Sequence, residues 1–450
     1  MGTLGLLGGI WGLRVFTTQA SRLAFKIMMT DPYLANLSEL VTATKRTNIQ
    51  TILETNLRAQ RAEVLQRPLG SPRDFVGFEG LMFVSSHLDR GPLPHTIPIH
   101  MGVVIGPKAR KPLKIEMPLI ISGMAYKTAL TDRMKYAFAL GSSRAKTATN
   151  TGEGPFLAGE RSLADYLIIQ YPRTPLYRTM DMLQQADALE IQLGQGASAG
   201  VAQAPYPHLI RTELPMLRRA QDLPKLVRFL KEVGQGVPVG VKFSFTNNLE
   251  REIDLCLQAD VDYLALEGAQ AASVKSAPIL QDDFGLPTIL GLPRAVKHLK
   301  HRGVKDKVSL IVSGGFTSPG QCLKALALGA DAIYLGTMIL FSASHTQTLK
   351  AIPWEPPTQL AVYGGKASKK FNWRLGAKHV ANFLIASTEE MKEGVRALGK
   401  HALHQVDSHD LVALDEYTSQ ITGIPLAYQG TYRQNQASRN GRATVSSEGK

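Results

Sequence analysis

The stretch VSLIVSGGFTSPGQCLKALALGADAIYLGTM, residues 308–338, has the pattern of two β-strands joined by one helix. Its two apolar runs, residues 308–312 and 332–335, have the length and continuity of parallel strands that are buried on both faces. Each run is followed by a turn of small residues, namely Ser313-Gly314-Gly315 and Gly336-Thr337. Glycine lets backbone N–H groups approach a phosphate closely, and the loops after strands 7 and 8 of a (β/α)8 barrel form such a site. The alternative is that these glycines only allow tight turns.

Six further apolar runs of strand length precede this pair, at residues 118–123, 144–150, 166–170, 188–193, 237–245 and 263–266. Most of them alternate with helical segments, which is the pattern of a parallel barrel. We expect the third run to be a short strand in an edge-like position. The helix after the first run should begin after Thr131, a good N-cap residue, and should end at Gly141. The sequence therefore predicts an α/β fold, a TIM (β/α)8 barrel.

The regions on either side of the barrel differ from it in composition. We expect four parts: residues 1–104 as an N-terminal helical cap and irregular segment, 105–345 as the barrel, 346–428 as a C-terminal helical extension packed on the barrel, and 429–450 as a disordered tail. Within these parts, residues 97–105 would form a floor to the barrel, and residues 378–400 have the periodicity of one long helix.

The composition limits the class of protein and its partners. The chain has a net charge of +14 and a pI near 9.6, but its basic residues are scattered and are not interleaved with aromatic residues. A nucleic-acid-binding face is therefore not expected, whereas an acidic electron-carrier protein would suit the charge. The two cysteines, Cys256 and Cys322, have no spacing typical of a disulfide framework or a metal site. We expect both to be buried, in a cytoplasmic protein.

The N-terminal segment MGTLGLLGGIWGLRVF contains an apolar run before Arg14. The run has about a dozen residues, which is too short to cross a hydrocarbon core of roughly 30 Å. It has neither a positively charged segment before it nor a clear cleavage site, so it does not resemble a signal peptide. Peripheral membrane contact through this segment stays open as an alternative.

Polar and glycine residues cluster at the predicted C-terminal strand ends, which converge on one pocket in a barrel. They are residues 122–125, 150–154, 194–196, 242, 267–270, 313–315 and 336–337. Lys242 lies inside the otherwise apolar strand VGVKFSF, where a buried lysine usually has a function. The alternative for Lys242 is an ordinary surface lysine.

Four motifs carry a family resemblance. They are ATNTGEG at 148–154, EIQLGQGAS at 190–198, VGVKF at 239–243, and SGGF followed by ALGADAIYLGT within 313–337. In this order and spacing they resemble the FMN-binding synthase domain of glutamate synthase, and more closely the stand-alone FMN-binding glutamate synthase-like proteins of bacteria, over about residues 105–338. The resemblance implies that FMN is reduced by an electron donor. It also implies hydride transfer from N5 to the imine formed from 2-oxoglutarate and ammonia, which gives L-glutamate.

The resemblance also implies roles for individual residues. Those lining the isoalloxazine would be Met124, Ala125 and Asn150, and those holding the phosphate would be Ser313, Gly314, Gly315, Gly336 and Thr337. Lys242 would face the N1/C2 edge and stabilise the reduced flavin, while Glu153 and Gln195 would face the substrate; these three are the catalytic candidates. The alternative for Glu153 is a carboxylate at a helix N-terminus. His208, in the loop after the fourth strand, is a further candidate as a proton donor.

The sequence also departs from the family pattern. The two lysines of EIK…QGAKPG are replaced by Gln192 and Ser198, and the GGTGA stretch is replaced by AQAAS at 269–273. The cysteines of the family's iron–sulfur cluster have no counterpart in FSASHT at 341–346, so no iron–sulfur cluster is expected. An N-terminal glutaminase domain is also not expected, and ammonia would come from elsewhere.

These departures leave three hypotheses open. The first is an FMN-dependent oxidoreductase that makes glutamate, and the second is an FMN-dependent oxidoreductase acting on a different oxo or imino acid. The third is a barrel that binds flavin without catalysis. The loss of two cations that could bind a dicarboxylate favours the second hypothesis.

Overall fold

The computed structural model describes residues 2–36, 38–198, 214–273, 276–354 and 357–429. The chain forms two compact units, Met1–Leu65 and Gln66–Lys450.

The first unit is helical. Its elements are the helices Gly2–Thr30, Ser38–Thr47 and Ile49–Arg61 and the 3-10 turn Tyr33–Ala35. The first helix ends at Thr30, where the side-chain amide of Asn36 donates to the carbonyls of Ile27, Met28 and Asp31. Among the described residues, no helix combines the length and the apolar character that crossing a bilayer requires.

The second unit contains a closed barrel of eight parallel strands. Barrel strands 1 to 8 are, in chain order, Leu119–Ile121, Ala148–Asn150, Tyr166–Pro172, Ala188–Gln192, Val239–Ser244, Tyr263–Glu267, Ser309–Ser313 and Ala332–Leu335. Each strand pairs with the next, and strand 8 closes the barrel on strand 1 through Ile333 and Leu119. The predicted TIM barrel is confirmed.

Three local expectations about the barrel were wrong. The third strand is not edge-like: Tyr166–Pro172 is paired on both sides and its central residues are buried. The second strand starts at Ala148, because the preceding helix, Asp132–Arg144, continues to Arg144. That helix passes through Gly141 instead of ending there. A Cβ at Gly141 would lie 2.7 Å from a Val380 methyl group, so this glycine permits close packing of two helices.

The lower half of the barrel interior is apolar and is closed by a hairpin. Val103–Ile105 pairs antiparallel with Leu113–Ile115, and Ile105, Leu113 and Ile115 pack against the inward-facing apolar residues of the strands. Ser309 Oγ accepts the Gly106 N–H at 3.0 Å and ties the hairpin to strand 7. Part of the segment expected to form the floor, Val103–Ile105, therefore does so.

Helices surround the barrel and extend it at the C-terminus. The α-helices of this unit are Asp132–Arg144, Ala158–Leu163, Met180–Gln184, Leu223–Val233, Leu249–Gln258, Pro278–Asp282, Thr288–His301, Pro319–Ala327, Thr337–Ser344, Thr358–Ala361, Trp373–Ala397 and Glu416–Thr422. Among the described residues, the 3-10 turns are Gly196–Ser198, Ala220–Asp222, His345–Ala351, Ser368–Lys370, Leu403–Gln405, Ser408–Asp410 and Ala427–Gln429. A small antiparallel pair joins Leu81–Phe83 to Leu411–Ala413. The long C-terminal helix begins earlier than expected, where Asn372 caps the N–H of Leu375.

Two further sequence expectations are confirmed in the outer layer. Thr131 caps its helix by accepting the Met134 N–H at 3.2 Å. Cys256 and Cys322 are both buried, and burial raises the pKa of each thiol to about 12. Neither thiol is therefore a reactive nucleophile at neutral pH.

Candidate active site at the barrel mouth

A cavity of about 250 Å³ lies at the C-terminal ends of the barrel strands. Most of the sequence-predicted site residues line it, namely Met124, Gln195, Lys242, Ser313, Gly314, Gly315, Gly336 and Thr337. A larger cavity of about 340 Å³ is lined by the ends of strands 4 and 5 and by the helices Leu223–Val233 and Leu249–Gln258, and contains none of these residues. We therefore place the candidate site at the barrel mouth.

One corner of this cavity has the features of an anion site. Gly314 and Gly315 have φ values of +102° and +82°, which residues with a side chain rarely adopt. A Cβ at Gly336 would meet no protein atom within 4 Å, so the backbone there borders open space. Helix Thr337–Ser344 starts immediately afterwards without a side-chain cap. The unpaired N–H groups and the positive end of the helix dipole are suited to a phosphate.

Lys242 is a buried cation in the wall of the cavity. Its side chain is 2% exposed, and Nζ lies 3.2 Å from Glu267 Oε1. The pKa of Lys242 is raised: burial alone would lower it, but Glu267, Glu190 and Glu153 together outweigh burial. Lys242 therefore carries its positive charge at neutral pH.

Glu267, at the end of strand 6, holds the neighbouring elements around Lys242. Its Oε1 accepts the hydroxyl of Ser313 at 2.9 Å, and its Oε2 accepts the backbone N–H of Gly196 at 2.9 Å. The same carboxylate thus connects strand 7, the loop that carries Gln195, and the lysine. Sequence reasoning placed Glu267 among the strand-end residues without giving it this role.

Asn150 does not line the cavity but belongs to a buried network below it. Glu190 Oε1 accepts from the side-chain amides of Asn150 at 2.9 Å and Gln170 at 2.8 Å, while Glu190 Oε2 accepts the Tyr334 hydroxyl at 2.6 Å. Burial raises the pKa of Tyr334 well above 10, so its hydroxyl remains a donor. Sequence reasoning missed Glu190, Gln170 and Tyr334. The available signal was their inward position in the two-residue alternation of their strands.

Two buried amide oxygens near the mouth have no hydrogen-bond partner among the described residues: Gln170 Oε1 and Gln192 Oε1. Gln170 is 1% exposed and Gln192 is 5% exposed. Gln192 lies opposite Lys242 in the pairing of strands 4 and 5. Because an unpaired buried acceptor is costly, both oxygens are suited to N–H donors of a bound molecule.

Glu153 and Ala125 lie in loops that pack against each other. A Cβ at Gly152 would lie 2.5 Å from the Ala125 backbone nitrogen, which brings the loops after strands 1 and 2 into close contact. Burial raises the pKa of Glu153, although the charges of Lys242 and Arg178 oppose the rise. Neither Glu153 nor Ala125 is among the lining residues of the cavity. Their roles, like those of the other site residues, stay predictions.

His208 and residues 430–450 of the expected tail lie outside the described residues. Among the residues that are described, no group of three or more His, Cys, Asp or Glu side chains is arranged to hold a metal ion.

The sequence was compared with protein families and with individual proteins. The model described as "Conserved region in glutamate synthase" matches residues 95–221 and 213–401. The "Glutamate synthase large subunit-like protein" of Rhizobium meliloti (strain 1021) is 27% identical over 407 residues, which cover 81% of this chain and 91% of that protein. The "Archaeal-type glutamate synthase (NADPH)" of Thermotoga sp. (strain RQ2) is 27% identical over 345 residues, covering 69% of this chain and 66% of that protein.

The fold was compared with solved structures. A mutant of flavocytochrome b2 with pyruvate bound superposes with a TM-score of 0.50 at 15% sequence identity. The superposition covers 74% of this chain and 76% of that chain. At this identity the likeness describes the fold of the barrel only.

Proposed function

The chain belongs to the glutamate synthase family, and from this premise we propose that it is an FMN-dependent oxidoreductase acting on the imine of a 2-oxo acid. The reference reaction is that of 2-oxoglutarate and ammonia, which gives L-glutamate. The observation that carries the proposal is one cavity that joins the glycine turns after strands 7 and 8 to the buried cation Lys242.

The residues of the candidate site fit both the phosphate end and the ring end of FMN. The backbone at Gly314-Gly315 and at the start of helix Thr337–Ser344 would hold the phosphate. The buried, unpaired oxygen of Gln170 would accept the N–H of the flavin ring. Lys242 would stabilise negative charge on the ring.

When bound in its reduced form, FMN supplies a hydride from N5 to the imine carbon, and a proton on the nitrogen completes the amine. Lys242 is held in place by Glu267, so it would stabilise the negative charge that the ring gains on reduction without rearranging. Glu153 is the proposed source of the proton, because its raised pKa keeps its carboxyl protonated to a higher pH than usual. Gln195 lines the cavity and would orient the substrate.

The replacement Glu153→Gln tests the proton-donor role. An acid acts in its protonated form, so the wild-type rate should fall as the pH rises through the raised pKa of Glu153. The glutamine variant should lose this limb of the pH profile and react about 100-fold more slowly or worse. The measurement is the pH dependence of substrate-driven flavin reoxidation. Glu116→Gln, which removes a surface carboxylate paired with Lys146, is the control; equal profiles for both variants would exclude Glu153.

The proposal is tested directly on the purified protein. One FMN per chain should be released on denaturation, identified by chromatography and absorbance. After anaerobic reduction, addition of 2-oxoglutarate with ammonium should reoxidise the flavin. A protein that takes up no FMN would refute the proposal. A protein that binds FMN but is reoxidised by none of a panel of 2-oxo acids with ammonium would instead be a flavin-binding barrel without this activity.

A second candidate substrate is favoured by one observation. At the positions where the family pattern has two lysines, this chain has Gln192 and Ser198, both buried. Lys242 is paired with Glu267 and is also close to Glu190 and Glu153, so this cation is not free to pair with a second carboxylate. An acid with a single carboxylate, or one whose far end donates to the Gln192 oxygen, fits this arrangement better than 2-oxoglutarate.

The double substitution Gln192→Lys with Ser198→Lys separates the two candidates. If the missing cations limit the use of a dicarboxylate, the variant should need at least about tenfold less 2-oxoglutarate for half-maximal reoxidation, while its use of monocarboxylic 2-oxo acids should weaken. Gln192→Met with Ser198→Ala is the uncharged control. A wild-type protein that already prefers 2-oxoglutarate, with no gain in the lysine variant, would refute the second candidate.

A further inference from the structure

Two buried cations outside the cavity hold the loop Asn150–Gly154, which carries Glu153. Lys135 comes from helix Asp132–Arg144 and is fully buried. Arg178 follows strand 3 and is 6% exposed. Neither residue was singled out by the sequence, where both look like ordinary surface cations.

Lys135 joins the loops after strands 1 and 2. Its Nζ donates to the carbonyl of Met124 at 2.9 Å, to that of Asn150 at 2.9 Å and to that of Thr151 at 3.2 Å. Glu160 is its counterion, with Oε1 2.8 Å from Nζ. The three N–H donors of this ammonium group are therefore used by three backbone oxygens, and the Glu160 carboxylate balances its charge.

Arg178 contacts the same loop at residues that follow those bound by Lys135. Its guanidinium donates to the carbonyls of Gly152 at 2.8 Å and Gly154 at 2.6 Å, and its Nε donates to the carbonyl of Gln170 at 2.7 Å. The carbonyls on both sides of Glu153 therefore point at one planar group. Burial lowers the pKa of Arg178 to about 10, which still leaves it charged at neutral pH.

A buried cation is expensive unless it is paired and fully hydrogen-bonded, and ordinary loops are stabilised without one. Here two such cations bind carbonyls of the same five-residue loop, Asn150–Gly154. Residues 151–154 belong to no helix or strand, so regular backbone hydrogen bonds do not fix this part of the loop. The contacts of its carbonyls with Lys135 and Arg178 therefore determine where the Glu153 carboxyl and the Met124 segment lie relative to the mouth.

We propose that Lys135 and Arg178 are positioning residues, which fix Glu153 and the segment Met124–Ala125 at the barrel mouth through backbone carbonyls. The role assigned to Glu153 rests on the proposed function. The fixing of the loop does not, and it can be measured without flavin.

The test is Arg178→Lys, which keeps the positive charge but loses the planar group that spans three carbonyls. In the protein without flavin, hydrogen–deuterium exchange of residues 151–154 should become about ten- to a hundredfold faster, while exchange in the barrel strands stays unchanged. With flavin and substrate, the limb of the pH profile due to Glu153 should move to lower pH, because a looser loop is better solvated.

Arg396→Lys is the matched control, since Arg396 is also buried, also donates to a carbonyl and lies on the C-terminal helix. If Arg178→Lys does not fold, Lys135→Gln replaces it. This variant should accelerate exchange in residues 124–126 as well as 150–152, a second segment that the Arg178 variant leaves protected.

Exchange rates and a pH profile like those of the Arg396→Lys control would overturn the proposal. Failure of the wild-type protein to bind FMN would refute the proposed function alone, and the exchange result would then decide the positioning role.

Discussion

Replacing Gly336 by valine is expected to weaken FMN binding strongly while the barrel stays folded. The φ of Gly336 is −115°, a negative value that does not require glycine. No protein atom lies within 4 Å of a Cβ at this position, and Gly336 lines the cavity, so the side chain enters the cavity instead of the core. There it would occupy the space proposed for the phosphate next to the start of helix Thr337–Ser344. Losing two charge-assisted hydrogen bonds would weaken binding by about 3 kcal/mol or more, and the Kd for FMN should rise roughly 100-fold or more.

The measurement is a titration of the flavin-free variant with FMN, followed by flavin fluorescence, together with its thermal unfolding. Gly320→Val is the control: Gly320 also has an uncrowded Cβ position but lies on the outer helix Pro319–Ala327. The control should bind FMN like the wild type. Normal binding by Gly336→Val would contradict the assignment of this corner to the phosphate.

Replacing Lys242 by methionine should lower the reduction potential of bound FMN. The lysine is the buried positive charge in the wall of the cavity, so its removal destabilises the negatively charged reduced ring more than the neutral oxidised one. A difference of about 1.5 to 3 kcal/mol corresponds to a shift of roughly 30 to 60 mV for a two-electron couple. Reduction of the flavin by its electron donor should become slower, because negative charge builds up on the ring while it is being reduced.

This variant also leaves Glu267 without its cation, so a control for the loss of an ion pair is needed. Lys305→Met serves this purpose, because Lys305 is largely buried against Asp331, 2.8 Å away, at the opposite end of the barrel strands. Its flavin potential should equal that of the wild type. An unchanged potential in Lys242→Met would remove Lys242 from the flavin site.

The sequence predicted the barrel because each strand is buried on both faces and therefore has a continuous apolar run. Each error of the sequence-based prediction has a physical cause at one place in the structure. Strand 3 contains Gln170 and the bulky Tyr171, which interrupt the apolar run, yet both point into protein and the strand is paired on both sides. Gly141 looked like a helix stop, but the close approach of Val380 requires a glycine there. Such packing involves residues distant in sequence and is invisible in a local pattern.

The site residues at the ends of the strands could be predicted from the sequence. The residues whose side chains interact across the barrel could not. Gly314, Gly336 and Lys242 follow from the strand positions and lie together as expected. The buried network of Glu190, Asn150, Gln170 and Tyr334 joins four strands, so no single sequence motif contains all of its residues. Lys135 was missed for a similar reason: a lysine on an amphipathic helix is normally solvated, and only the fold shows that it reaches three carbonyls.

The central claim is hydride transfer from bound flavin to the imine of a 2-oxo acid. It is tested most directly by incubating the anaerobically reduced protein with a panel of 2-oxo acids and isotope-labelled ammonium, and by analysing the products by mass spectrometry. The account predicts one labelled L-amino acid for each flavin reoxidised, with the best 2-oxo acid identifying the substrate. Bound flavin that stays reduced until oxygen is admitted, with no labelled amino acid from any 2-oxo acid, would contradict it.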